Sequence, residues 1–120
     1  MIKRDFSGRG ISESDLDIYV REVLEDPHIK ILDLSNNNIT LKGFKYLIQK
    51  LAKNKSIEFL DLKGNQIDDK AVIILEKYGK TLTTLKKINL QKNKLTANVS
   101  KKKIFLDKLK KKGIKINLIL

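Results

Sequence analysis

One pattern of hydrophobic and polar positions occurs three times along the chain, at a spacing of 28 residues. The copies lie at residues 29–39, 57–67 and 85–95, and each fits L-x-x-L-x-L-x-x-N-x-L with aliphatic residues at the L positions. Inside each copy two aliphatic residues alternate with polar ones, which predicts a short strand with one buried face. Recurrence at one fixed period is typical of repeat architectures. We therefore predict a stack of similar units.

A helical pattern of apolar residues follows each predicted strand. In the second unit it predicts a helix over about residues 41–53, with Thr40 as its N-cap and Asn54 at its end. In the third unit an aspartate at 68 or 69 opens a helix that ends near Gly79, and its last turn differs from that of the second unit. The apolar residues of the predicted faces are Phe44, Leu47, Ile48 and Leu51, then Val72 and Leu75, and in the fourth unit Ile104, Phe105 and Leu109.

The 28-residue period extends less perfectly to both ends of the chain. Projected backwards, it predicts a helix over about residues 13–25 and a degenerate strand with Arg4 and Phe6 at the paired core positions. Projected forwards, it predicts a last strand with Ile116 and Leu118 on its core side. We therefore expect one domain over residues 1–120. Its parts are a capping unit at 1–28, repeats at 29–56, 57–84 and 85–112, and a terminal strand at 113–120.

An asparagine stands where the chain leaves each strand of the three full copies: Asn37, Asn65 and Asn93. Its side-chain amide both donates and accepts hydrogen bonds, so it can satisfy backbone groups that a turning chain leaves unpaired. We predict a structural role for this column rather than a role in ligand binding.

Composition limits the function classes. The chain has no cysteine, which excludes a disulfide scaffold, a zinc–thiolate site and cysteine catalysis. Its single histidine, His28, has no nucleophile motif around it, so we expect no enzyme activity and no cofactor. The first residues show no apolar h-region, and the longest apolar run, residues 71–75, is far too short to span a membrane. We expect a soluble protein that is cytoplasmic, or is delivered into a host cell without a cleavable Sec-type signal peptide.

The repeat resembles a known family. A 28-residue unit with a strand, an Asn-x-Ile/Leu turn and a full helix, and with Gly43 at a helix start, resembles the ribonuclease-inhibitor-type leucine-rich repeats. The resemblance implies an α/β fold: a short right-handed solenoid with a parallel sheet on the concave side and helices on the convex side. The small size and the bias towards Lys, Ile and Asn also resemble leucine-rich-repeat effectors that intracellular bacteria deliver into host cells. That second resemblance implies a host protein as the partner.

The polar positions of the strands predict which side chains line the concave face. We expect a protein partner to bind there, on Ile31, Asp33, Phe59, Asp61, Lys63, Lys87 and Asn89. Phe59 is either an aromatic anchor for that partner or a residue that only packs on Ile31 and the stem of Lys87. Asp33 and Asp61 occupy equivalent positions on successive strands, so their negative charges repel one another. Either a basic partner or the neighbouring Lys30, Lys63 and Lys86 must offset this repulsion. Two carboxylates make an incomplete cation site, so we expect no bound metal.

The distribution of charge indicates an alternative to the binding of a protein on the concave face. The chain carries a net charge of +12, and residues 61–120 hold most of the excess. A basic patch lies in the fourth predicted helix and comprises Lys101, Lys102, Lys103, Lys108, Lys110, Lys111 and Lys112. Such a patch binds anionic membrane or nucleic acid, or it is simply the solvated outer face of a terminal unit.

The last residues, 114–120, read as a strongly β-forming strand with no capping element after it. An open apolar edge of this kind is usually covered. We expect it to pair with another chain, including a second copy of itself, or with a further segment of a longer repeat protein.

Overall fold

A computed structural model describes residues 2–95 and 99–120. Within these residues, five strands alternate with four α-helices. The strands are β1 (Ile2–Asp5), β2 (Ile29–Asp33), β3 (Phe59–Asp61), β4 (Lys87–Asn89) and β5 (Asn117–Ile119). The helices are α1 (Glu13–Glu25), α2 (Leu41–Leu51), α3 (Ala71–Tyr78) and α4 (Val99–Lys111), and a 3-10 turn at Gly79–Thr81 follows α3. Residues 96–98, which fall in the predicted repeat 85–112, lie outside the described residues.

The five strands form one parallel sheet in the order in which they occur along the chain. Leu32 lies beside Leu60, and Leu60 lies beside Ile88, so the repeat period sets the register of the sheet. Each strand reaches the next through a helix, which is the connection that parallel neighbours require. The predicted class, an α/β solenoid with its sheet on one side and its helices on the other, is confirmed.

The core fills the space between the sheet and the helices. Leu32, Leu60 and Ile88 from the strands and Phe44 and Leu47 from α2 are completely buried. Burying one such side chain stabilises the fold by roughly 1.5–3 kcal/mol. The predicted helical faces of the second and third units therefore do cover the sheet.

Gly43 permits the close contact between α1 and α2. A methyl group at this position would lie 2.8 Å from Cγ2 of Ile39 and 3.3 Å from Cγ of Glu13. Glu13 in turn accepts hydrogen bonds from the backbone N–H and the hydroxyl of Thr40. Thr40 thus occupies the predicted N-cap position of α2, but its hydroxyl holds α1 instead of capping α2.

The asparagine column ties each unit to the one before it. Asn65 Oδ1 accepts from the N–H of Ile39, and Asn65 Nδ2 donates to the carbonyls of Leu34 and Leu62, each over 3.0 Å. Asn37 and Asn93 make the equivalent bonds one unit earlier and one unit later. The structural role predicted for these residues is confirmed.

Asn54 makes a similar connection at the opposite end of the strands. Its Oδ1 accepts from the N–H of Ser56 and Ile57, and its Nδ2 donates to the carbonyl of Leu24 over 2.8 Å. Helix α2 ends at Leu51, so the residue predicted to end that helix also fastens the following loop to the first unit.

One prediction for the last unit is confirmed and one is wrong. Leu118 is buried and Ile116 packs against the core, so both lie on the core side as predicted. The residue beside Ile88 is Leu118, two residues beyond the 28-residue spacing. A shift of two residues along a strand leaves each side chain on the same face of the sheet, so Leu118 is still buried. The prediction for Ile104 is wrong: it is 56% exposed, whereas Phe105 and Leu109 pack against the core.

The opening of α3 also differs from the prediction. Lys70, and neither of the two predicted aspartates, occupies the N-cap position. Asp68 instead accepts from the N–H of Lys70 through Oδ1, over 2.9 Å. At the other end of α3, Gly79 leaves room for Ile114, since a methyl group on Gly79 would lie 2.7 Å from Cδ1 of Ile114. The side chain of Ile114, from the last unit, therefore packs against the irregular last turn of the third unit.

Candidate functional site

Two rows of side chains cross the concave face of the sheet. Ile31, Phe59 and Lys87 occupy neighbouring positions on β2, β3 and β4. Asp33, Asp61 and Asn89 form the second row, two residues further along each strand. Together with Lys63, which follows β3, these residues form what we call the concave patch. The structure thus brings together all seven residues that the alternation placed on this face.

Phe59 lies at the centre of the concave patch and is half-buried. The Nζ of Lys87 lies 4.6 Å from the centroid of its ring, a cation–π contact. Ile31 lies on the other side of the ring, in the same row. The ring is therefore held between two neighbours, yet part of it remains open to solvent in the middle of the sheet.

We call the second row, together with Asp5 at the same position on β1, the acidic row. Its members take part in the turns that follow the strands. In each member, Oδ1 accepts a hydrogen bond from the backbone N–H two residues ahead. The pairs are Asp5 with Ser7, Asp33 with Ser35, Asp61 with Lys63, and Asn89 with Gln91, at 2.9–3.1 Å. This bond explains why aspartate and asparagine recur here, because a short side chain with an acceptor oxygen closes such a turn. We did not predict this role, although the recurrence of Asp or Asn just before each turn was its visible signal.

Charge compensation along the acidic row differs from the expectation. Asp33 is buried, and its Oδ2 lies 3.2 Å from Nζ of Lys3 on the first strand. The hydrogen bond to Asp33 raises the pKa of Lys3 above its ordinary value. Lys86, which we expected to offset the aspartates, lies 3.2 Å from Oε1 of Glu58 instead. The charge of Asp33 is thus offset within the chain by Lys3, on the neighbouring strand.

Within residues 2–95 and 99–120, no group of three or more histidine, cysteine, aspartate or glutamate side chains could hold a metal ion. Oδ1 of Asp33 and Oδ1 of Asp61 already accept from backbone N–H groups. In Asp33 and Asp61, one carboxylate oxygen each is thus already engaged by the backbone.

The basic patch lies on α4 and on Lys112 directly after it, away from the concave patch, and its lysines are divided between two sides of the helix. On one side, Lys101 reaches Asp69 at 3.7 Å, while Lys108 and Lys112 reach Glu76 at 3.7 and 3.6 Å. These contacts join α4 to α3, although exposed pairs of this length contribute little, about 0–1 kcal/mol each. Lys102 Nζ donates to the carbonyl of Leu120 over 3.3 Å. Lys103, Lys110 and Lys111 are exposed.

Comparison with known proteins agrees with this architecture. A family model described as "Leucine Rich repeat" matches residues 25–47 and 53–73. Together with the stacked strand–turn–helix units, this match supports a leucine-rich repeat protein. A search of curated proteins found no significant match to the sequence.

Two solved structures show the same fold at low sequence identity. One, "Leiomodin-1 Actin-Binding Site 2 (ABS2)", is similar with a TM-score of 0.79 and 17% identity, over 99% of this chain and 69% of that chain. Another, "Structure of Chaetomium Mex67:Mtr2 subunits", has a TM-score of 0.64 and 18% identity, over 98% of this chain and 78% of that chain. Among the described residues, no helix is long and apolar enough to cross a membrane.

Proposed function

We propose that the chain is a non-catalytic protein-interaction module whose concave patch binds a partner protein. The observation that carries the proposal is the position of Phe59, a half-buried aromatic ring at the centre of a sheet face, between Ile31 and Lys87. Aromatic residues that are central and partly covered before binding are typical hot spots of interfaces. Their rings lose little conformational freedom when the partner arrives, so little of the binding energy is lost to ordering.

The two rows of the patch also indicate the chemistry of the partner. The row of Ile31, Phe59 and Lys87 favours an apolar side chain flanked by an acidic one. The second oxygen of Asp61 is not used by the turn bond to Lys63 and is available to a basic group. Five strands about 4.8 Å apart give a face about 20 Å wide, which suits an interface at the small end of specific recognition.

The finer part of the proposal concerns the partner and the place of action. We propose that the partner is a host protein and that the chain acts inside a host cell, delivered there by a bacterium. The support is the composition, rich in Lys, Ile and Asn, together with the small number of units. The similar leiomodin structure is named as an actin-binding site, so actin is a reasonable first protein to assay.

A second candidate function is electrostatic binding of anionic membrane or nucleic acid through the lysine-rich C-terminal half. The exposure of Lys103, Lys110 and Lys111 favours it. The ion pairs that Lys108 and Lys112 make with Glu76 disfavour it, because they partly neutralise one side of the same helix. Binding of this kind falls steeply as salt is raised, which separates it from the concave-patch proposal.

Affinity capture from a nuclease-treated eukaryotic lysate at physiological salt tests the proposal. The wild-type chain is compared with a Phe59→Asp/Asp61→Lys variant, in which the centre of both rows is altered. The matched control is Ile73→Asp, because Ile73 is 64% exposed on α3, on the opposite side of the solenoid. Circular dichroism of all three proteins shows whether each is folded.

The proposal predicts a discrete protein that is retained by the wild type and by Ile73→Asp and is lost with the double variant. Equal retention by all three proteins would contradict it. Capture of only acidic material that is released by salt would instead support the lysine-rich half as the binding region.

A further inference from the structure

A groove of about 860 Å³ lies between α4 and β5, at the end of the solenoid opposite to β1. Its apolar lining includes Leu106, Leu109, Ile116 and Leu118. Leu106 is 38% exposed, whereas Leu118 is buried and borders the same space. The groove is thus an apolar surface outside the concave patch.

The strand at this groove offers free backbone hydrogen-bonding positions. Asn117 N–H donates to the carbonyl of Lys86, and the carbonyl of Ile119 accepts from the N–H of Leu90. Backbone groups of successive residues in a parallel strand point to alternate sides. The N–H and carbonyl of Leu118 therefore point away from β4, towards the outer edge of the described sheet.

The two ends of the sheet differ in character. At the other edge, all four residues of β1 are exposed, and three of them, Lys3, Arg4 and Asp5, are charged. Charged residues on an edge strand discourage pairing with another chain. In β5 the apolar Leu118 and Ile119 occupy the corresponding place, so of the two described edges this one is suited to accept a further strand.

Charge identifies the kind of strand that fits. The groove is bordered by Lys102, Lys103, Lys110 and Lys115, against the single carboxylate of Asp107 among its described lining residues. A second copy of the chain would bring four more lysines against these four, and the net charge of +12 adds to that repulsion. An acidic partner would neutralise them.

We propose that this groove binds an extended acidic segment of a partner protein, with apolar and acidic residues in alternation, which adds to β5 as a sixth strand. The apolar residues of the segment lie on Leu106, Ile116 and Leu118. Its carboxylates point to the opposite face of the added strand, on the side of Asn117 and Lys115, and Lys103 and Lys110 attract the acidic segment at longer range. Main-chain hydrogen bonds to Leu118 supply affinity, and the alternating side chains supply specificity. This surface is separate from the concave patch and can be tested without it.

The test uses labelled eight-residue peptides with blocked ends. One peptide alternates valine and glutamate, a second alternates serine and glutamate at the same charge, and a third alternates valine and lysine. Binding to the full chain is followed by fluorescence anisotropy, and hydrogen exchange of the Leu118 amide is followed by NMR. The proposal predicts that the valine–glutamate peptide binds at least about tenfold more tightly than either control and slows exchange of the Leu118 amide.

Two variants locate the site. Lys103→Glu/Lys110→Glu is expected to weaken binding of the valine–glutamate peptide by at least about tenfold, and Leu106→Ser by a smaller factor. Lys42→Glu/Lys45→Glu, which makes the same charge change on exposed positions of α2, is the matched control and is expected to bind like the wild type.

Three outcomes would overturn the proposal. The first is that the serine–glutamate peptide binds as tightly as the valine–glutamate peptide, which would show attraction by charge alone. The second is binding without protection of the Leu118 amide, which would show a segment that lies in the groove without joining the sheet. The third is a dimer of the unliganded chain by light scattering that Leu106→Ser dissociates, which would make a second copy the occupant.

Discussion

The ammonium group of Lys87 lies above the ring of Phe59, with 4.6 Å between Nζ and the ring centroid. The two residues are neighbours across β3 and β4, so the register of the repeat brings them together. The contact covers part of the ring, which is half-buried. Of the two interpretations that the sequence left open, packing of Phe59 on its neighbours is observed, and its role as an anchor for a partner stays a prediction.

The Phe59–Lys87 contact should be measurable as a coupling energy. In a double-mutant cycle with Phe59→Leu and Lys87→Met, we expect a coupling free energy of unfolding of about 0.5–1 kcal/mol. The substitutions keep apolar bulk, so the cycle isolates the cation–π contact. Urea denaturation of the four proteins gives the value, and a coupling near zero would show that the two side chains do not interact in solution.

Loss of one asparagine of the column should cost far more stability. Asn65→Ala leaves the N–H of Ile39 and the carbonyls of Leu34 and Leu62 without their side-chain partner. We expect a loss of at least about 3 kcal/mol in the free energy of unfolding, since each orphaned buried group costs roughly 1–3 kcal/mol. Urea denaturation measures this loss.

Two other asparagines serve as controls for that prediction. Asn38→Ala alters an exposed asparagine next to the column and should change stability by less than about 0.5 kcal/mol. Asn93 is a half-buried member of the column, so Asn93→Ala should cost more stability than Asn38→Ala and less than Asn65→Ala. Equal effects of the three substitutions would contradict the structural role of the column.

Gly43→Ala should destabilise the chain even though alanine favours a helix. The added methyl group would meet Cγ2 of Ile39 at 2.8 Å, and relief of such overpacking typically costs about 1–3 kcal/mol. Helix propensity returns about 1 kcal/mol. We expect a net loss of about 1 kcal/mol by urea denaturation, with Lys45→Ala on the exposed side of α2 as the nearly neutral control. A net gain in stability would show that Gly43 is not packed this closely against Ile39.

Tyr78 should ionise at a lower pH than Tyr46. Burial and the hydrogen bond to Asp17 raise the pKa of Tyr46 to about 12, while the hydrogen bond from Gln49 lowers the pKa of Tyr78. An alkaline absorbance titration of the phenolate band should therefore show a last step near pH 12, and Tyr46→Phe should remove it. Ionisation of Tyr46 near the ordinary tyrosine pKa of about 10 would contradict this environment.

The raised pKa of Tyr46 also fixes the direction of a stability effect. A folded-state pKa above the unfolded value means that the neutral phenol is the stabilised form. Its contribution is complete below about pH 10 and is lost as the pH rises towards about 12. Tyr46→Phe should lower the free energy of unfolding by about 1 kcal/mol at neutral pH, because it removes the hydrogen bond between α2 and α1. Urea denaturation at neutral pH and at high pH checks both the size and the direction of the effect.

The repeat predicted most of the fold because its apolar and asparagine positions are fixed by packing. The helix predicted over about residues 13–25 is α1 (Glu13–Glu25), and the in-register strands follow the 28-residue period as far as β4. The prediction failed in the last unit, where the pattern of apolar and asparagine positions no longer recurs. The lysine-rich α4 carries no asparagine motif to mark its register, so neither the two extra residues before Leu118 nor the exposure of Ile104 could be read from the sequence.

For the concave patch too, the sequence predicted the positions of the residues but not their individual contacts. Alternation placed Asp33 and Phe59 on one face, because residues two apart along a strand share a face. It could not show that Lys3, on the neighbouring strand, reaches Asp33, since a long side chain can turn in several directions. The sequence predicted an open apolar edge at residues 114–120, but not the residues of α4 that line the groove beside it.

The most direct test of the central claim is the affinity of the captured partner, once purified, for three versions of the chain at about 0.15 M salt. These are the wild type, Phe59→Ala and Lys103→Ala/Lys110→Ala. If the concave patch is the binding face, Phe59→Ala weakens binding by at least about tenfold and the lysine variant binds like the wild type. Undiminished binding by Phe59→Ala, with loss in the lysine variant, would contradict it.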